Sequence, residues 1–145
     1  MRSTASTSHT PQTHKHLKGG DAGLRDLAHA FESLATSSKP LPLHALSLAG
    51  NGITAEGVAW MGRALTSGAL PKLNSLSLAD NPGMGKEGSR YFTTVLQQSP
   101  PAPCKLKTLD LRWTEMGVEG AEALAALIHA GACPALERLS LAQVR

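Results

Sequence analysis

The sequence predicts an α/β solenoid segment, with a row of short parallel strands on one face, a helix behind each, and roughly three to four repeats. Three observations carry this. Leucines at offsets 0, 3 and 5 recur in "LHALSLAGNGI" (43–53), "LNSLSLADNPG" (73–83), "LKTLDLRWTEM" (106–116) and "LERLSLAQVR" (136–145). The block starts lie 30, 33 and 30 residues apart. Between blocks, a Glu-Gly pair opens a stretch whose apolar residues return every three to four positions. Period two marks a strand and period 3.6 marks a helix, so each unit announces both of its halves.

In chain order, residues 1–20 ("MRSTASTSHTPQTHKHLKGG") are rich in Ser, Thr and His and contain no acid. They form a polar tail expected to be disordered, because it buries too little apolar surface to offset its chain entropy. Organelle transit peptides share that composition, yet one arginine and no amphipathic face favour a plain tail. The repeat domain is assigned to 21–145. Its first part, 21–42, is incomplete: "DAGLRDLAHAFESLA" fits a helix through Gly23, Leu27, Ala30, Phe31 and Leu34, with no strand before it.

Full units follow at 43–72, 73–105 and 106–135, and a truncated one at 136–145. The complete leucine grid is Leu43, Leu46, Leu48; Leu73, Leu76, Leu78; Leu106, Leu109, Leu111; and Leu136, Leu139, Leu141. The strands end at a corner held by Asn51, Asn81 and Thr114, with Val144 in the fourth unit. An inward amide satisfies backbone groups that the turn leaves unpaired; Thr replaces part of that capacity and Val none.

The helices are expected after Thr54, Gly85 and Gly117 at the cap position, with Glu56, Glu87 and Glu119 in their first turns. Counting from the glycine of Glu-Gly, a buried stripe is expected at Trp60, Met61, Ala64, Leu65; Tyr91, Phe92, Val95, Leu96; and Ala123, Leu124, Leu127, Ile128. Gly68 and Gly131 stand where a left-handed stop belongs. The second unit has one extra residue around Pro82 and Gly83, so its corner should differ.

These residues resemble the leucine-rich repeats of the long, ribonuclease-inhibitor-like class, whose unit runs close to LxxLxLxxNxI…EG…L…L. The repeats of NOD-like receptors and Ran GTPase-activating proteins are similar. The resemblance covers roughly 21–145 and implies a concave parallel sheet, with helices outside, that binds other proteins. Offsets 2, 4 and 6 of each strand then line the concave face, and offset 7 its rim. Most of these positions are small. The exception is the third unit, where Asp110, Arg112 and Trp113 cluster, with Asp80 and Arg138 one unit away on either side. Trp and Arg are the residues most often found as interface hot spots. The plainer reading makes Asp110, Arg112 and Arg138 a cross-strand surface ion network of little net stability.

Other functions fare worse. The net charge of +3 comes from Arg2, Lys15 and Lys18, because residues 21–145 hold eleven basic and eleven acidic side chains. A neutral domain offers no nucleic-acid face. No apolar run approaches the ~20 residues of a membrane span. His44 lies at offset 1, away from Asp110, so no Ser-His-Asp arrangement forms. "GMGKEG" (83–88) lacks the spacing of a phosphate-binding loop.

The tail histidines His9, His14 and His16 read as solvated side chains. Cys104 and Cys133 read as small buried hydrophobes in a reducing, cytoplasmic setting. No metal and no cofactor is expected. The expected role is a non-enzymatic module that binds a protein partner. Two alternatives remain: a GTPase-activating regulator using Arg112, or a sensor or spacer arm of a larger receptor-like protein. Nothing covers Leu136, Leu139 and Leu141 within the sequence, which points to a fragment or to self-association through that end.

Overall fold

Each leucine block becomes a three-residue strand, and each Glu-Gly segment becomes a helix behind it. The computed structural model describes residues 20–97 and 105–142. The elements run α1 (Asp21–Thr36), β1 (Ala45–Ser47), α2 (Ala55–Thr66), β2 (Ser75–Ser77), a 3₁₀ turn (Pro82–Met84), α3 (Gly85–Gln97), β3 (Thr108–Asp110), α4 (Gly117–His129) and β4 (Arg138–Ser140). The expectations for residues 1–19, Cys104 and Val144 lie outside the described residues.

The four strands form one parallel sheet in the order β1-β2-β3-β4. Ala45 pairs with Ser75, Ser75 with Thr108 and Thr108 with Arg138. Equal offsets therefore stand side by side across the whole sheet. A one-residue slip would turn every leucine outward, so the leucine grid itself sets the register.

Behind the sheet, Leu46, Leu48, Leu76, Leu78, Leu109 and Leu111 are buried together with Ile53, Met61, Met84, Phe92, Met116, Leu124 and Leu127. The core is aliphatic and nearly free of aromatics. The helix α1 opens the described residues and buries Leu24, Ala28 and Phe31 at the first end of the stack. At the other end, Leu136, Leu139 and Leu141 are only partly buried.

The glycine of Glu-Gly exists because neighbouring helices start too close for a side chain. A Cβ on Gly57 would stand 2.2 Å from Asp21 Oδ1; one on Gly88, 3.2 Å from the Ala55 Cα; one on Gly120, 2.9 Å from the Ser89 Cβ. The three glycines occupy the same place in three units, and each receives the preceding helix.

Several expectations need correction. Tyr91 is 52% exposed and Ile128 42% exposed, although the helical period places both on the buried stripe. A solenoid helix packs on the sheet and also on the next helix. This rotates its buried face toward Val58, Met61 and Gly62 in α2, and toward Ser89, Phe92 and Thr93 in α3. The third position after the glycine is thereby turned out; Ile128, at the eighth, is exposed because no described helix packs on the far side of α4, whereas Leu96 at the same place in α3 is buried. Trp60, at the third position, is only partly buried: His29 lies 5.0 Å from it ring to ring, and the Arg63 guanidinium stands 5.0 Å over the indole.

The caps also differ. Thr54 precedes α2, but its hydroxyl donates to the Asp21 carboxylate, which also accepts the Thr54 N–H at 2.9 Å. Asp21, the first residue of α1, thus braces the start of the neighbouring helix. Gly117 lies inside α4, whose cap position falls to Met116. The extra residue of the second unit becomes the 3₁₀ turn, which buries Met84. Gly68 and Gly131 follow their helices at φ 92° and 75°, the left-handed stop the sequence calls for.

Candidate functional site

The corner after each strand decides what the third unit can present. At offset 7 the chain turns through the left-handed region: Gly50 has φ 68°, Asp80 59° and Trp113 62°. Two residues on, Gly52 has φ 69° and Glu115 54°. The first unit builds this corner as Gly-Asn-Gly, and the third builds the same corner as Trp-Thr-Glu. Glycine enters the left-handed region freely, and Asp is tolerated there. A tryptophan is not, at about 1–2 kcal/mol per residue. Sheet pairing holds it in place: the Asp80 N–H donates to the Arg112 carbonyl at 2.8 Å, and the Trp113 N–H to that of Ala142 at 3.1 Å.

Trp113 is therefore a half-exposed indole (48%) on a strained rim. Beside it, Arg112 donates from Nε to Asp110 Oδ1 at 2.9 Å and from Nη2 to Oδ2 at 2.7 Å. The Arg112 backbone N–H adds a third bond to Oδ1 at 3.2 Å. Such two-point pairing fixes the guanidinium plane. The Arg112 side-chain bonds hold the Asp110 carboxyl below its usual value, and a bond from the neighbouring Ser77 lowers it further. Asp110 raises Arg112 in turn, chiefly through the same side-chain bond. The carboxylate is mostly covered, so Asp110 is the anchor and Arg112 the exposed group.

The three-way ion network does not form. In the sheet Arg138 stands opposite Thr108, while Asp110 stands opposite Ser140. Among the described residues, neither Arg138 nor Asp80 makes an ion pair. The structure thus brings Asp110, Arg112 and Trp113 together, and leaves Asp80 and Arg138 as exposed flanking charges on adjacent units.

The corner ladder is uneven. Asn81 is completely buried. Its Oδ1 accepts the backbone N–H groups of Asn51 and Ile53, both at 3.0 Å. Its Nδ2 donates to the carbonyls of Leu48 (3.0 Å), Leu78 (2.9 Å) and Ala79 (3.1 Å). One amide therefore ties two units together. Thr114 makes a single side-chain bond, its hydroxyl donating to the Leu111 carbonyl at 2.8 Å.

A cluster on the convex side went unread in the sequence. His29, Glu32, Trp60 and Arg63 meet between α1 and α2, with Arg63 Nε donating to Glu32 at 3.1 Å. His29 and Trp60 lie 31 residues apart, and only the helix packing joins them; an i, i+3 spacing of His29 and Glu32 was the one available signal. Among the described residues, no three metal-binding side chains converge and no helix is long and apolar enough to cross a membrane.

The strained corner carries a direct prediction. Trp113→Gly relieves the left-handed backbone and loses roughly 0.5–1 kcal/mol to glycine's greater unfolded freedom. The expected net is a gain of up to about 1 kcal/mol, or a rise of roughly 2–4 °C in thermal midpoint by circular dichroism. A lower midpoint would show that the ring packs more than it strains.

Comparison with known proteins agrees with the architecture. Residues 41–59 and 102–125 match a family model described as Leucine Rich repeat. The first match covers β1 and the start of α2; the second covers β3, the Trp113 corner and the first part of α4. No curated protein matches the chain. The fold is a leucine-rich repeat α/β solenoid segment, and repeats of this kind generally mediate protein–protein interaction.

Proposed function

We propose that this chain is a non-enzymatic, cytoplasmic interaction module that binds a protein partner through the third unit's concave face and rim. One observation carries the reading. The sheet holds an exposed tryptophan in a backbone conformation that glycine occupies elsewhere, beside an arginine fixed by a two-point ion pair. Backbone strain that persists at an exposed position is a mark of function. A preset Trp-Arg pair loses little side-chain freedom on binding, which is where affinity is usually lost. Asp80 and Arg138 supply opposite charges at the two sides, which favours one orientation of the partner.

The arginine-dependent, GTPase-activating alternative is less well supported. Arg112 would have to leave Asp110 to reach another protein's nucleotide, and fold resemblance alone carries no activity. The test is capture by the tagged chain. Replacing Trp113 and Arg112 together with alanine should reduce recovery of the captured protein at least tenfold, with an unchanged helical signal. Equal recovery would remove the patch from the proposal.

A further inference from the structure

The chain holds two tryptophans, and Trp60 shows how this fold furnishes an indole with a charge. On the convex side the Arg63 guanidinium stands 5.0 Å over the Trp60 ring, and its Nε donates to Glu32 at 3.1 Å. The ring face attracts the cation, and the carboxylate holds it there.

Trp113 has the carboxylates without the cation. Its indole is half-exposed, and among the described residues neither a ring nor a cation stacks on it. Asp80 occupies the same corner position on the neighbouring strand, its N–H bonded to the Arg112 carbonyl. Glu115 follows two residues after Trp113. The Thr114 between them is buried, so Trp113 and Glu115 both leave the corner on its outer side. Asp80 and Glu115 are exposed, neither belongs to a helix, and among the described residues neither has an ion pair.

The nearby cations are committed to other acids. Arg112 donates from Nε and Nη2 to Asp110, which cancels its charge. Lys86 of α3 stands 3.7 Å from Glu119 of α4. Arg138 lies at the far end of the strands, beside Thr108. The rim around Trp113 is therefore net negative.

We propose that the partner supplies the missing cation: a lysine or arginine side chain laid on the Trp113 indole, its charge held by Asp80 and Glu115. This rests on the reading of Trp113 as a partner contact and adds the chemistry of the contact, a basic segment of a protein. Charge complementarity selects that occupant. An acidic segment or an anionic lipid surface would be repelled by the two carboxylates, and an apolar segment would bury them without a counter-charge. A basic side chain suits both parts, its alkyl stem lying along the ring and its charged head reaching the acids.

The test follows the two indole N–H signals of the nitrogen-15-labelled full chain by NMR, with Trp60→Phe assigning them. The probes are a tetra-arginine peptide with blocked ends and its tetra-glutamate counterpart. The Trp113 signal should shift saturably with tetra-arginine, at roughly millimolar peptide, and stay in place with tetra-glutamate. The Trp60 signal should not move, because Arg63 already covers that ring. Asp80→Asn with Glu115→Gln should weaken the response about tenfold, with an unchanged circular dichroism spectrum; asparagine tolerates the left-handed backbone at position 80. Glu87→Gln, an exposed acid on the same side but within α3, should change it less than about twofold. No saturable shift, an equal response to tetra-glutamate, insensitivity to the Asp80 and Glu115 pair, or an equal loss with Glu87→Gln would each overturn the proposal. Repeating the partner capture with Asp80→Asn and Glu115→Gln separates this inference from the reading beneath it. Capture lost on replacing Trp113 and Arg112 but kept by the acid pair overturns the basic segment alone; capture indifferent to Trp113 and Arg112 removes the patch itself.

Discussion

Asn81→Ala is expected to destabilise the fold by about 3–5 kcal/mol, because it strands four buried backbone groups at once, the Ala79 carbonyl alone keeping another partner in the Gly50 N–H at 3.0 Å. The amide oxygen serves two N–H donors and the amide nitrogen three carbonyls, at a site with no solvent access. Each buried group left unpaired costs about 1–3 kcal/mol, and relaxation of the corner recovers part of the sum. Single domains have only about 5–15 kcal/mol in total. The substitution should therefore shift the urea midpoint strongly, or leave a fold that melts broadly. Thr114→Ala is the internal control. It removes one side-chain bond to the Leu111 carbonyl and should cost about 1 kcal/mol. Equal losses for the two variants would mean that the inter-unit bonds through Asn81 contribute little.

That contrast shows which parts of the fold the sequence discloses. Twelve leucines at fixed offsets specify strand, register and inward face together, since each pleat position has only two directions to choose from. The asparagine corner is legible for the same reason. That Asn81 serves the preceding unit as well as its own is not, because the bond partners Asn51 and Ile53 come from one repeat earlier. Tyr91 departs from the expected stripe for a related reason. Amphipathic period locates a stripe but not the angle at which two packing surfaces, sheet and next helix, share it.

The Trp113 corner was partly readable. Aligning offset 7 sets Gly50, Asp80 and Trp113 in one column, and a glycine there already hints at a left-handed turn. Arg112 and Asp110 were identified by type and proximity. Their exclusive pairing, which leaves Arg138 out, depends on sheet register: Arg138 falls beside Thr108, two residues short of Asp110. Charge type is visible in a sequence, whereas partner choice is decided by which strand positions lie side by side.

The Glu-Gly pair is the part of the repeat whose spacing is most easily read and whose reason is least so, and Gly120→Ala tests that reason. On an isolated helix the change would stabilise by about 1 kcal/mol, because alanine is the better helix former. Here the new methyl would stand 2.7 Å from the Met116 Cβ and 2.9 Å from the Ser89 Cβ. Both atoms are fixed to backbone, so no side-chain rotation relieves the contacts: α3 and α4 must move apart to clear Ser89, and the start of α4 must shift to clear Met116. Overpacking of this kind costs about 1–3 kcal/mol, and separating the helices also exposes part of Leu124 and Leu127. The expected net is a loss of about 2–3 kcal/mol in urea unfolding. Gly88→Ala meets its nearest neighbours only at 3.2 Å and should lose less. A gain at position 120, or a larger loss at 88, would return the glycines to a role in turn formation alone. The predicted order makes helix spacing the physical cause of the motif: each unit omits a side chain where the preceding helix begins.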